Sequence, residues 1–153
     1  MSTLQARSQA VVNAPISSVW AIITDITLLP RINPGVIKAT GTMNESNAVR
    51  TCEVENKGRK GIITEKLVEF VLGKRMVWRV ESDTMGMSKM LLDTQFSLLL
   101  ETVTDSSTKV TAETHYSPRT FLAGIMNGLV MKKMFARAQE KILQNLWTLA
   151  QNQ

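Results

Sequence analysis

Apolar and polar positions alternate with a two-residue period through the middle of this chain and change to a helical period near its two ends. Between Lys89 and Thr104, Met90, Leu92, Phe96, Leu98 and Leu100 share one parity, while Leu91, Asp93, Gln95, Ser97 and Glu101 share the other. That is the pattern of a strand with one buried and one mostly wet face. Met76, Trp78 and Val80 alternate with Val77, Arg79 and Glu81 in the same way, and Val110, Ala112, Thr114 and Tyr116 with Lys109, Thr111, Glu113 and His115. Turn-forming clusters at Asn44 to Asn47, Gly58 to Gly61, Gly73-Lys74, Thr84 to Ser88 and Asp105 to Ser107 divide the stretch from Val36 onward into six strands at hairpin spacing.

Ahead of this meander, residues 4 to 12 read as an opening strand. Pro15 suits the first turn of a helix, where its missing amide hydrogen would have been unpaired, and Ile16, Val19, Trp20 and Ile23 follow at helical spacing. Asp25 to Ile32 reads as a second short helix, bounded by Pro30 and by Pro34-Gly35. After Ser117-Pro118, taken as cap and first helical position, a helical pattern persists for about 30 residues, or about 45 Å. Its second half carries Phe135, Ala138, Ile142, Leu146 and Leu149 on one stripe, with Lys133, Arg137, Glu140, Lys141 and Gln144 largely opposite. The predicted fold is α+β: a seven-stranded curved antiparallel sheet, two short helices after the first strand, and one long C-terminal helix covering one sheet face.

At 153 residues and 44% apolar, residues 1–153 are expected to form a single domain with a sizeable core. The net charge of +5 is dispersed along the chain, and only 5% of residues are aromatic, which argues against a nucleic-acid surface built from a basic stripe and stacking rings. Cys52 is the only cysteine, so no intrachain disulfide forms. A charged leader followed by an apolar run is not seen, and the most apolar stretch, Phe121 to Met131, falls short of the roughly 20 residues that span a bilayer. A cytoplasmic protein is expected.

Val12-Asn13-Ala14-Pro15-Ile16-Ser17-Ser18-Val19-Trp20, with Thr24-Asp25 and Pro34, resembles the strand-to-helix entry of the superfamily that contains START lipid-transfer domains, the birch-pollen allergen fold and the bacterial polyketide cyclase/dehydrase family. Glu65 through Val80 resembles that superfamily's adjacent central strands. The resemblance covers nearly the whole chain. It implies a helix-grip fold enclosing a pocket that carries lipids, sterols, quinones or aromatic polyketides, and in some members cyclises them. A shared fold does not by itself transfer any one of these activities.

Residue chemistry narrows the choice. With one His and one Cys and no clustered carboxylates at helical spacing, neither a metal nor another cofactor is expected. His115 shares parity with Glu113 and reads as solvated rather than as a base for Cys52, which reads as a small buried residue. Glu65 and Glu69, though of one parity, read as solvent-facing strand charges, and Gly58-Arg59-Lys60-Gly61 as a wet hairpin turn. Arg50 and Lys66 alternate with apolar neighbours and are candidate inward anchors for an acidic head group. No catalytic residue is assigned.

Extending the Phe135-to-Leu149 stripe backward by helical period reaches Met131, Gly128, Gly124 and Phe121. Two glycines would then face the sheet, either for close packing, or because the helix starts late or kinks there, or to leave room for a ligand, with Met76, Trp78, Met90, Leu92, Phe96 and Tyr116 supplying apolar walls. Leu122, Met126, Leu129 and Val130 fall on the opposite side, where a Met85-Gly86-Met87 lid, a second subunit or a peripheral membrane contact near Lys132 and Lys133 would cover them. The expected partner is a hydrophobic small molecule, bound by a monomer or homodimer. The alternatives are a polyketide aromatase/cyclase, in which Tyr116 or a buried Arg polarises a carbonyl, and a protein-interaction module that uses the apolar helix face.

Overall fold

Strand β1 (Thr3–Val12) leads through Pro15 into helix α1 (Ile16–Ile23), and a helical turn at Ile26–Leu28 runs into the one-turn helix α2 (Leu29–Ile32). The meander follows as β2 (Val36–Gly41), β3 (Val49–Asn56), β4 (Arg59–Val71) and β5 (Arg75–Asp83), then a short helix α3 (Met87–Met90), β6 (Leu91–Thr104) and β7 (Ser107–Pro118). Helix α4 (Phe121–Met126), a π-turn (Asn127–Met131) and α5 (Lys132–Gln151) make one continuous C-terminal helix of 31 residues. This computed structural model describes residues 2–152.

The seven strands pair antiparallel in the order β1-β7-β6-β5-β4-β3-β2, so β1 closes the sheet beside the last strand. The architecture is the α+β arrangement that the alternating pattern predicts, and it is the helix-grip fold that the resemblance implies. Its main core joins Val19, Trp20, Ile22 and Ile23 of α1 to Leu67, Met76, Trp78, Leu98, Leu100, Val110 and Ala112 of the sheet and to Ile142, Leu143, Leu146 and Leu149 of α5. Helix α5 does not lie along the middle of the sheet. It packs chiefly on β1, with α1 and α2 against its flank.

A buried amide fixes that seat. Gln139, 1% exposed, donates through Nε2 to the Ala6 carbonyl at 3.1 Å and to the Thr114 hydroxyl at 2.7 Å, while its Oε1 accepts from Ser8 Oγ at 3.0 Å. One side chain thus ties α5 to two neighbouring strands.

Local irregularities explain where parity misleads. In β6, two residues, Asp93 and Thr94, oppose one on β7, and Asp93 takes φ 51°. This bulge reverses the alternation, so Leu91 is buried and Leu92 is carried to the outer face, while Phe96, Leu98 and Leu100 keep their predicted side. Met90 ends α3 and lies outside the strand. A register shift between Leu67 and Glu69 turns Glu69 outward, whereas Glu65 faces inward across from Arg50. The hairpin between β3 and β4 turns at Lys57 (φ 53°) and Gly58 (φ 79°), a two-residue turn with both residues left-handed, so Arg59, Lys60 and Gly61 belong to β4 and not to the turn.

The C-terminal helix starts later than Ser117-Pro118 suggests. Strand β7 runs through Pro118, and Thr120 caps the helix by accepting from the Ala123 amide at 3.1 Å. The π-turn then accommodates one more residue than an α-turn does, so extrapolation back from Phe135 slips. Met131 is buried, but the next inward positions are Asn127 and Ala123 in place of Gly128 and Gly124. A Cβ on Gly128 would meet nothing within 4 Å, and one on Gly124 would only touch Pro118.

Replacing Gln139 with Leu strands the Ala6 carbonyl and the Thr114 and Ser8 hydroxyls, an expected loss of about 1–3 kcal/mol. The loss should appear as a lower urea midpoint with an unchanged denaturant slope.

Candidate ligand cavity

Helix α5 sits chiefly over β1, and between it and the inner face of β3 to β6 an unfilled cavity of about 440 Å³ remains. Its walls come from Cys52 and Val54 on β3, Ile63 on β4, Met76, Trp78 and Val80 on β5, Thr94, Phe96 and Leu98 on β6, and Phe135, Ala138 and Ile142 on α5. Ile23, Leu29, Ile32 and Val36 close one end. Pro34, Glu55, Asn56 and Met134 are exposed members of the lining and mark its opening. Ligand sites of about 300–1,000 Å³ are typical for small molecules and cofactors.

One ionic group interrupts the apolar wall. Arg50, 6% exposed, meets Glu65 through Nε at 3.1 Å, and its guanidinium carbon lies 3.9 Å from the centre of the Trp78 ring. The two-residue turn at Lys57-Gly58 sets this register, which pairs Arg50 with Glu65 directly across the ladder. Trp78 provides a flat face for the planar guanidinium. Beside the pair, burial pushes the Cys52 thiol up to about 11; Arg50 opposes the shift and Glu65 adds to it. A protonated thiol is a poor nucleophile. His115 stands on the outer face of β7, 3.9 Å from Glu113, and does not meet Cys52.

The segment after β5 forms part of the mouth. Burial alone would raise the Asp83 carboxyl, but the Ser88 hydroxyl and then the Ser88, Met87 and Met85 amides donate to it and hold it below its ordinary value. Met85 and Met87 line the cavity, and Met85 lies against Gly61, where a Cβ would collide with it.

Among the residues singled out in the sequence, Met76, Trp78, Phe96 and Arg50 meet on the cavity wall. The others stand elsewhere. Met90, Tyr116 and Met131 belong to a second apolar cluster with Leu91, Met87 and Phe135. Phe121, Leu92 and Gly128 are exposed, Gly124 packs near Pro118, and Lys66 pairs with the exposed Val49. Tyr116 is fully buried behind Phe135, with ring centres 5.2 Å apart, and donates its hydroxyl to Asn127 Oδ1. Sequence reasoning missed Glu65, Thr114 and Gln139 as wall residues. Counting the ladder outward from the Lys57-Gly58 turn would have found Glu65, but nothing local marks Gln139.

The match to known proteins follows the fold. A family model described as polyketide cyclase/dehydrase and lipid transport matches residues 3–151. The chain belongs to that family. A Streptomyces aromatase/cyclase is similar over 99% of this chain and 94% of its own, at 14% identity and a TM-score of 0.79. A START superfamily protein from Mycobacterium smegmatis is similar over 96% and 97%, at 12% identity and a TM-score of 0.75. A major latex-like protein from Panax ginseng is similar over 98% of both chains, at 11% identity and a TM-score of 0.76. No curated protein sequence matches the chain. At these identities the solved structures establish the fold alone, and this family member's chemistry has to be read from its own cavity.

Cys52 offers a native reporter of that cavity. With its pKa moved from 9.0 to about 11, its thiolate fraction at pH 8 falls roughly a hundredfold. Thiol-disulfide exchange with an aromatic disulfide should accordingly be slow in the native protein and rapid in denaturant, as followed by absorbance.

Proposed function

We propose that residues 1–153 act as one ligand-binding domain that carries a neutral, mainly apolar small molecule bearing a carbonyl or hydroxyl oxygen, of lipid, quinone or aromatic polyketide type. The observation that carries this reading is the Arg50–Glu65 pair, a buried ion pair in a mainly apolar wall. Apolar area removed from water supplies affinity, at about 25 cal/mol per Å². The pair supplies orientation.

A free fatty acid fits this wall less well than the sequence suggests. Glu65 already compensates the guanidinium, so a ligand carboxylate would lie beside a second carboxylate in a poorly hydrated space. A carbonyl oxygen accepts from the Nη edge of Arg50 and a hydroxyl donates to Glu65, and neither displaces the existing ion pair. Glu65 therefore acts as the repulsive element that separates neutral ligands from acids.

The same pair supports the second reading, cyclisation, since a guanidinium can polarise a ketone while a neighbouring carboxylate accepts a proton from the adjoining carbon. Tyr116 does not serve it: the side chain is off the wall, and burial pushes its hydroxyl up to about 12.

Ala138→Trp should fill the cavity and abolish uptake of an apolar fluorescent probe while circular dichroism stays unchanged. Undiminished uptake removes the cavity from the mechanism. The double variant Arg50→Leu/Glu65→Leu, which strands no lone charge, should weaken a quinone about tenfold and leave its hydrocarbon analogue unaffected. Tighter binding of a fatty acid than of its methyl ester by the unaltered protein would refute the neutral-ligand assignment. Recovery of a cyclised product from a bound polyketide would establish the enzyme reading.

A further inference from the structure

The outer face of α4 and the π-turn is the largest unexplained feature of the surface. Phe121 is 84% exposed, Leu122 73% and Leu129 66%, and Ile125, Met126 and Val130 are each exposed by 43% to 49%. They repeat at a spacing of four and make one apolar stripe. Neither the Met85–Met87 segment nor any other described part of the chain covers it.

Packing holds this stripe outward. Asn127, on the inner side of the π-turn, accepts from the Tyr116 hydroxyl and donates to Gln5 Oε1 at 3.0 Å, and Ala123 is buried one turn earlier. Rolling the stripe toward the sheet would pull the Asn127 amide out of a buried polar contact.

The segment that carries the stripe bears charge of one sign. No Asp or Glu occurs between Thr114 and Gln139, whereas Arg119, Lys132, Lys133 and Arg137 are all present and exposed. We propose that this face docks onto an anionic lipid surface, with the apolar stripe in the acyl boundary and the cations at the head groups. A second copy of the chain satisfies these groups poorly, because a two-fold pairing of the stripe sets the same cations near one another and the segment brings no acid of its own to pair with them. Continuity with the cavity supports the assignment. Met134, one turn beyond Val130, is both exposed and part of the cavity lining, so a docked protein would present its opening beside the bilayer. Docking goes beyond the ligand-binding reading and does not depend on the cavity being loaded.

Flotation of the full chain with phosphatidylcholine vesicles, with and without about one-third phosphatidylserine, tests the proposal. Binding is expected to the anionic vesicles and to be lost in 1 M salt, where the screening length falls to about 3 Å. Lys132→Gln/Lys133→Gln should weaken partitioning roughly thirtyfold. Leu122→Asp/Leu129→Asp should weaken it more than tenfold while leaving uptake of the apolar probe unchanged, which separates this outcome from failure of the cavity. Equal binding to neutral vesicles, absence of binding to either, or dimerisation abolished by the aspartate pair without vesicle binding would each overturn the assignment.

Discussion

The seat of α5 on the sheet is the constraint on which the rest of the molecule depends. A helix about 10 Å wide cannot cover a curved seven-stranded sheet from edge to edge, so its lateral position decides which strands are roofed and which are not. Gln139 sets that position by engaging β1 and β7 together. The apolar stripe of α5 would tolerate several placements, since hydrophobic burial is non-directional, whereas a buried amide has to find its partners. With the helix held over β1, the inner face of β3 to β6 keeps an open volume. On the proposed function, that volume takes the ligand.

The chemistry of the cavity follows from a second buried polar arrangement. A buried ion pair adds little stability compared with apolar side chains of similar size, because desolvation offsets its attraction. On the proposed function, the Arg50–Glu65 pair, stacked on Trp78, offers a ligand donors and an acceptor side by side, without net charge. Cys52, beside it, is kept protonated by burial and behaves as wall.

The π-turn divides the C-terminal helix into two parts that pack differently. Beyond it, α5 closes the main core. Before it, α4 stands over the smaller cluster of Leu91, Tyr116 and Met131 and leaves its far side in solvent. Asn127 joins the two halves at Tyr116, so the orientation of the exposed stripe is coupled to the interior. No helix of the described residues is long and apolar enough to cross a membrane, and the docking proposed for the stripe is contact with a lipid surface.

Strand number, order of elements and fold class were legible in the sequence because they rest on periodicity and turn chemistry, which are local. Met76, Trp78 and Phe96 were found on the wall for the same reason, each lying in an unbroken stretch of alternation. Leu92 and Gly128 were misplaced where one extra residue enters a ladder or a helical turn, since an insertion reverses the side chains counted across it in a strand and rotates them about the axis of a helix; Glu65 was missed because a strand carboxylate reads as solvent-facing until its partner across the ladder is known. The placement of α5, the cavity beneath it and the partners of Arg50, Gln139 and Asn127 were decided only in three dimensions. Those contacts join residues as much as 133 positions apart, and no neighbour in the chain signals them.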